Sequence, residues 1–183
     1  MMNIPDLDAH IAKYIQGGFG QADMATMKEE CEKLKEGDVH LQIGIDEGRS
    51  LRVAHEYSSE GVYIVGIDIH DPTHTPGLNR SEFMEQEGMV GIDKRCFYVH
   101  GDADEFINVF FSKIKFISLL FIDGHHDYDS VKENTLNWEG MVKEGGVILF
   151  HDYDHPETKR WLDEHYKDDK EIVSGGKMIR VKK

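Results

Sequence analysis

Short apolar segments alternate along the chain with longer segments of mixed polarity. Segments rich in Val, Ile and Phe, bounded by Gly or charged residues, predict β-strands at 39–45, 61–69, 96–100, 114–123 and 145–152. Between most of them, apolar residues recur at helical spacing over 47–58, 103–112 and 128–141. Alternation of this kind predicts an α/β fold: a Rossmann-like, doubly wound and mainly parallel sheet with helices on both faces.

The two ends of the chain depart from this alternation. Residues 5–16 and 20–36 predict two helices ahead of the sheet. Near the other end, the apolar segments EIVS and KMIRV flank Gly175 and Gly176, which predicts a hairpin whose second strand runs antiparallel at or near a sheet edge. We therefore expect one domain over 1–183, with N-terminal helices in 1–36 and an α/β core in 37–183.

Composition narrows the classes of partner. With 21 Lys and Arg against 35 Asp and Glu, the net charge is −14, which disfavours nucleic acid and anionic membrane surfaces. The opening MMNIPDLDAH lacks the pattern of a signal peptide, and the apolar run 116–122 is too short to cross a bilayer. We expect a cytoplasmic protein with a small-molecule partner, and the sequence leaves homo-oligomerisation open.

Polar side chains follow each predicted parallel strand at its carboxyl end. These residues are Asp46 and Glu47, Asp68 and His70, His100 and Asp102, Asp123 with His125 and His126, and His151 with Asp152. Any single one is readily explained as a loop residue or a helix cap. Five successive strand ends together indicate a shared crevice, because open α/β sheets bind ligands beyond the carboxyl ends of their strands.

The remaining histidines divide by their position in the pattern. His125 and His151 each follow an apolar run at its crevice end, so we expect them to face a ligand. We assign His10, His40, His55 and His165 to the solvated surface. The stripe Met24, Met27, Cys31 and Leu34 predicts core packing rather than a cofactor site.

The turn after the first strand restricts the ligand. Gly44 and Gly48 bracket an acidic pair, without the G-x-G-x-x-G pattern of a dinucleotide site, and those acids would meet a pyrophosphate with like charge. This disfavours NAD and FAD. A phosphate-free ligand with a cationic centre, such as S-adenosylmethionine, suits the turn better. Asp68 lies about 20 residues further on, where an acid can accept hydrogen bonds from two ribose hydroxyls.

From about residue 39 onward, the chain resembles class I S-adenosylmethionine-dependent methyltransferases of the catechol-type and macrolide-sugar O-methyltransferase branch. The motifs that carry the resemblance are LQIGIDEGRS, VYIVGIDI, GDAD, FIDGHHDYDSV and GMVKEGGVILFHDY. The resemblance implies transfer of a methyl group from S-adenosylmethionine to a small-molecule acceptor, at a hydroxyl oxygen.

The resemblance also implies a cofactor-binding role for six residues. They are Gly44 and Gly48 beside the methionine and ribose, Asp68 at the ribose, Ile69 on the adenine face, and Asp102 with Ala103 at the adenine edge. One of two departures from the family pattern is Gln42, which stands where an acid is usual.

A divalent metal is the second group that the resemblance implies, at Asp123 and Asp152. We expect His151 or His125 to supply a third ligand. The second departure is that His125 and His151 stand where the family has acids, so Mn²⁺, Fe²⁺ or Zn²⁺ become candidates beside Mg²⁺. Such a metal at Asp123 would activate the acceptor hydroxyl. His126 is the alternative catalytic residue, as a general base.

Two other functions are considered for this chain. A methyltransferase-like module that binds the cofactor without turnover remains an alternative. A phosphohydrolase with a His-Asp doublet is disfavoured, because that doublet should lie on a helix and residues 151 and 152 follow a strand pattern.

The insertion 70–93, which carries two prolines and no strand pattern, is expected to form a mobile lid.

Overall fold

The structure is a computed structural model, and it describes residues 18–46, 48–69, 95–107 and 116–183. The predicted first helix at 5–16 and the predicted lid lie outside these residues, as do His10, Glu47, His70 and the end of the helix predicted at 103–112.

Seven strands and four helices are bounded within the described residues. The strands are β1 (Val39–Ile43), β2 (Tyr63–Asp68), β3 (Cys96–His100), β4 (Ile117–Ile122), β5 (Val142–Phe150), β6 (Glu171–Val173) and β7 (Met178–Lys182). The helices are α1 (Gln21–Cys31), α2 (Arg49–Tyr57), α3 (Tyr128–Trp138) and α4 (Pro156–Tyr166). Residues 103–107 are also helical, and short 3₁₀ helices span Glu139–Met141 and Ser174–Gly176.

All seven strands belong to one sheet, in the order β3-β2-β1-β4-β5-β7-β6. Strands β1 to β5 pair in parallel, whereas β7 pairs antiparallel with both β5 and β6. The predicted hairpin is thereby confirmed, and its second strand lies one position inside the edge. The order reverses at β1 and β4, so the crevice at their carboxyl ends is a topological switch point.

Helices cover both faces of the sheet, as predicted. On one face, α1 and α2 contribute Met24, Met27 and Leu51 to a core that includes Phe121. On the other face, α3 and α4 contribute Trp138 and Leu162, among other residues, to a second core. β1 and β4 are buried along their whole length because they lie between these two layers.

Helix α4 is the one bounded helix that the sequence pattern did not predict. Pro156 stands at its start, where the missing N–H costs no hydrogen bond, and Trp161, Leu162 and Tyr166 are buried. Other boundaries shift by a few residues: α1 ends at Cys31 rather than residue 36, and β1 ends at Ile43 rather than residue 45.

The surface assignment of His40 is wrong. His40 lies in β1 opposite Leu119 of β4 and has no exposed surface. His55 and His165 are only half-exposed, and the ring of His165 stacks on Trp161 with 4.7 Å between centroids. Sequence pattern misjudged His40 because a central parallel strand is buried on both faces and does not alternate.

None of the described helices is both long enough and apolar enough to cross a membrane.

Candidate active site

A cavity of about 440 Å³ opens beyond the carboxyl ends of the parallel strands. The predicted site residues that line it are Gly44, Asp68, Ile69, Asp102, Ala103, Asp123, His126, His151 and Asp152. His125, one of the histidines expected to face a ligand, also lines it. Gly48 is not among the lining residues. It lies instead at the start of α2, with a left-handed φ of 83°.

Gly44 allows the ends of β1 and β4 to lie in close contact. Its φ is +82°, and a Cβ atom there would lie 2.0 Å from the carbonyl oxygen of Asp123. The Asp123 N–H donates to the carbonyl of Ile43 over 2.8 Å, which holds the two strand ends together. The close approach that requires glycine here is to the protein's own backbone, and it sets the position of Asp123.

Gln42 explains how the chain does without the usual acid. Its buried side chain donates from Nε2 to the carbonyl of Gly44 and to Ser50 Oγ, each over 2.6 Å. A carboxylate could not donate to that carbonyl. The amide therefore fastens the glycine turn to α2, and the departure from the family pattern has a structural role in this chain.

Asp68 fixes the same turn from β2. Its Oδ2 accepts hydrogen bonds from the backbone N–H groups of Ile45, at 2.7 Å, and Asp46, at 2.9 Å. The side chain is buried yet lines the cavity. This carboxylate thus holds the turn in shape, and its proposed contact with a ribose stays a prediction.

The predicted adenine loop borders the cavity beyond Asp68. Ile69 is half-exposed, with 45% of its surface accessible, as an apolar wall for a planar ring would be. Asp102 Oδ1 accepts the N–H of Asp104 over 2.9 Å, at the start of the helical residues 103–107, and Ala103 is buried.

His151 lines the cavity and lies among three carboxylates. Its Nδ1 is 3.3 Å from Asp123 Oδ1 and 2.9 Å from Asp152 Oδ2, while its Nε2 is 3.5 Å from Asp23 Oδ2. The side chain is 6% exposed. These contacts are ion pairs by distance rather than well-aligned hydrogen bonds.

The carboxylates determine the charge of this imidazole. Burial by itself would lower the pKa of His151, but contacts with Asp123, Asp152 and Asp23 outweigh it and raise that pKa to about 12. Burial raises the pKa of Asp123, and the contact with His151 only partly offsets this. Burial also raises the pKa of Asp152, but the contacts with His151, His126 and Asp123 together outweigh it, so the pKa of Asp152 is lowered. A cationic His151 therefore neutralises part of the charge of the carboxylate pair.

His126 is the third residue, beside Asp123 and Asp152, that carries a possible metal-ligand atom. Its Nε2 lies 2.9 Å from Asp152 Oδ2, its side chain is 50% exposed, and its carbonyl accepts the Thr158 hydroxyl of α4 over 3.1 Å. One donor atom each from Asp123, His126 and Asp152 lie within 4.8 Å of one another. This group of three could hold a metal ion, and its histidine is His126, whereas the sequence had suggested His151 or His125.

A family model described as a methyltransferase domain matches residues 41–153, more than half of the chain. The chain belongs to this methyltransferase domain family. No curated protein matches it.

Solved structures share the fold of this methyltransferase at low sequence identity. An O-methyltransferase from Bacillus cereus in complex with SAH superposes with a TM-score of 0.68 at 14% identity, over 98% of this chain and 89% of that one. The apo TDP-rhamnose 3'-O-methyltransferase CalS11, from calicheamicin biosynthesis, gives 0.67 at 16%, over 87% and 76%. The mycinamycin-pathway methyltransferase MycE, solved with Mg, SAH and mycinamycin VI, gives 0.70 at 16%, over 98% and 53%. These likenesses establish the Rossmann-like methyltransferase fold.

Sequence reasoning missed two charged residues of the methyltransferase cavity region. Asp23, which is buried, reaches His151 from α1 and also accepts the Ser174 hydroxyl and the N–H of Gly20. Arg49, the first residue of α2, lines the cavity. In the sequence, Asp23 has the appearance of an ordinary acid in the first turn of a helix, so no local signal marked it.

Proposed function

We propose that this methyltransferase transfers a methyl group from S-adenosylmethionine to a hydroxyl oxygen of a small molecule, with help from a divalent metal. The observation that carries the proposal is one cavity that joins the turn fastened by Asp68 to the donor cluster Asp123, His126 and Asp152. Its volume, about 440 Å³, falls within the range of small-molecule sites. The SAH and Mg named for the similar structures support the same assignment.

The charge of the cavity suits this cofactor. S-adenosylmethionine carries its methyl group on a sulfonium, which becomes a neutral thioether when an acceptor oxygen takes the methyl group. The lining carboxylates favour a sulfonium and would repel the pyrophosphate of NAD; they are Asp46, Asp68, Asp102, Asp123 and Asp152. The half-exposed Ile69 offers an apolar surface for adenine.

The donor cluster fits a divalent cation by its chemistry. Two carboxylates and an imidazole can hold Mn²⁺, Fe²⁺ or Zn²⁺, and with added water ligands also Mg²⁺. A cation held by Asp123, His126 and Asp152 would lower the pKa of the acceptor hydroxyl. The donors are partly open to the cavity, with side-chain exposures of 22% for Asp123 and 27% for Asp152.

His126 serves the acceptor in either version of the mechanism. As a metal ligand it would use Nε2, the atom that now contacts Asp152. Without a metal, an Nε2–H donated to Asp152 leaves Nδ1 as the atom able to take the acceptor's proton. Without a metal, Asp152 orients the ring through its contact with Nε2, and in both versions the hydrogen bond from Thr158 to the His126 carbonyl fixes the loop that carries it.

Ligand binding tests the cofactor assignment. At 100 times its dissociation constant, SAH should add about 2.7 kcal/mol of stability, which raises the Tm by roughly 5 to 10 °C for a chain of this size. NAD at the same concentration should give no shift. Absence of an SAH shift at millimolar ligand would refute the proposed function.

Turnover is tested by release of SAH with a panel of phenolic and sugar-hydroxyl acceptors. If the metal takes part, EDTA should abolish the formation of SAH from the cofactor while the affinity of the protein for added SAH stays unchanged. Asp123→Asn should have the same two effects. Asp154→Asn is the matched control, because Asp154 is exposed and lies outside the donor cluster. Activity that persists under EDTA and in Asp123→Asn would exclude the metal and leave His126 as the base. SAH binding without turnover on any acceptor would favour the non-catalytic module.

A further inference from the structure

We propose that Arg49 binds the α-carboxylate at the amino-acid end of S-adenosylmethionine. This inference rests on the proposed function and adds to it a residue that selects for the complete cofactor over ligands that lack the amino-acid group.

The charge of the cavity creates the need for such a residue. An acidic wall attracts the sulfonium and the α-ammonium of the cofactor, but it repels the α-carboxylate. Apart from histidines, Arg49 is the one basic side chain among the cavity-lining residues that the structure describes. Arginine is also the side chain best suited to a carboxylate, because its guanidinium can donate two parallel hydrogen bonds.

Among the residues that the structure describes, most donors of the Arg49 guanidinium have no acceptor. Nη1 donates to the carbonyl of Phe19 over 2.6 Å, and within the described part of the chain no other hydrogen bond or ion pair of the guanidinium is found. Nε is buried and has no hydrogen-bond partner there. A guanidinium has five N–H donors, and buried polar groups without partners are rare in native proteins. A carboxylate ligand would supply the missing acceptors.

The position of Arg49 along the cavity fits the amino-acid end. Ile69 and Ala103 mark the proposed adenine end, and Asp68 comes next, tied to the glycine turn. Arg49 lies beyond that turn and donates a hydrogen bond to the Phe19 carbonyl. The ring centroid of Phe19 is in turn 5.7 Å from that of His151, which belongs to the carboxylate cluster. The α-carboxylate is therefore expected on the far side of the turn from the adenine, near the methyl-transfer position.

Two ligands that differ only at this end provide the test. SAH has the complete amino-acid group, whereas 5'-methylthioadenosine keeps the adenine, the ribose and the sulfur but has no carboxylate. Their Kd values are to be measured by calorimetry for the wild type, Arg49→Gln, Arg49→Lys and Arg52→Gln. Arg52 is the matched control, because it lies on the same helix, contacts Glu56 at 3.9 Å and is not a cavity-lining residue.

We expect Arg49→Gln to weaken SAH binding by roughly 10- to 100-fold and to change the Kd of methylthioadenosine less than about twofold, since a hydrogen-bonded charge contact is lost for one ligand alone. Arg49→Lys should weaken SAH by an intermediate factor, and Arg52→Gln should change neither ligand. If Arg49→Gln does not fold, the lysine variant provides the same comparison.

Three results would overturn the inference. Equal weakening of both ligands would show that Arg49 only holds the Phe19 segment in place. An unchanged Kd for SAH would remove Arg49 from the ligand altogether. A wild-type chain that binds neither ligand would refute the proposed function itself, an outcome distinct from the other two.

Discussion

The contact of Gly44 with the backbone of Asp123 can be tested by three Gly→Ala variants that separate backbone strain from steric overlap. At Gly140, φ is not positive and nothing lies within 4 Å of the added Cβ, so alanine should be neutral. At Gly37, φ is +85° and the surroundings are open, so only strain is added. At Gly44, φ is +82° and the Cβ would also lie 2.0 Å from the Asp123 carbonyl oxygen.

The expected costs follow from these differences. A left-handed alanine costs about 1 to 2 kcal/mol, which sets the loss for Gly37→Ala. Forcing β1 and β4 apart adds roughly 1 to 3 kcal/mol, as overpacking does elsewhere. Gly44→Ala should therefore lose roughly 2 to 5 kcal/mol of the 5 to 15 kcal/mol typical of a folded domain.

Urea unfolding followed by the fluorescence of Trp138 and Trp161 gives the three free energies. Titration of the folded variants with SAH adds a functional measure. Displacement of Asp123 should raise the Kd for SAH in Gly44→Ala and leave it unchanged in the other two variants. If Gly44→Ala were no less stable than Gly37→Ala, the close contact between the ends of β1 and β4 would be contradicted.

Three further variants test other parts of the molecule. Asp68→Ala should cost about 1.5 to 3 kcal/mol in urea unfolding, because two backbone N–H groups lose a charged acceptor, and it should abolish the thermal shift with SAH; wild-type stability would contradict those contacts. Burial lowers the pKa of His40 from 6.5 to about 4. As the pH falls from 6.5 to 4, His40 is therefore protonated in the unfolded chain but stays neutral in the folded one. This difference should reduce the free energy of unfolding by up to about 3 kcal/mol at about pH 4. His40→Phe should remove that part of the decline between pH 7 and pH 4.5, and an identical decline in both chains would contradict the assignment. Thr158→Val should cost about 1 kcal/mol and weaken Mn²⁺ binding at an unchanged Kd for SAH, because it frees the His126 loop; unchanged Mn²⁺ binding would show that the loop is held by other contacts.

The sequence by itself determined the sheet and the location of the crevice. Strands buried on both faces appear as continuous runs of Val, Ile and Phe, and Gly44 and Gly48 mark the turn where φ becomes positive. The polar residue at each strand end could be assigned to one crevice because parallel strands place their carboxyl ends at the same edge. These features are local in the chain or follow from topology, so pattern was sufficient.

The charges within the crevice were decided by tertiary structure alone. Asp23, Asp123 and His151 are separated by many residues in sequence, and only the packing of α1 against the sheet brings the first of them to the other two. The sequence showed His151 as a ligand-facing group, whereas its three carboxylate neighbours make it a buried cation. Tertiary contacts also position two other residues of the crevice. Arg49 is held by its hydrogen bond to the Phe19 carbonyl, and the loop of His126 is held by the hydrogen bond from Thr158 of α4. Electrostatic interactions depend on distances across the fold, and residue spacing along one chain does not specify those distances.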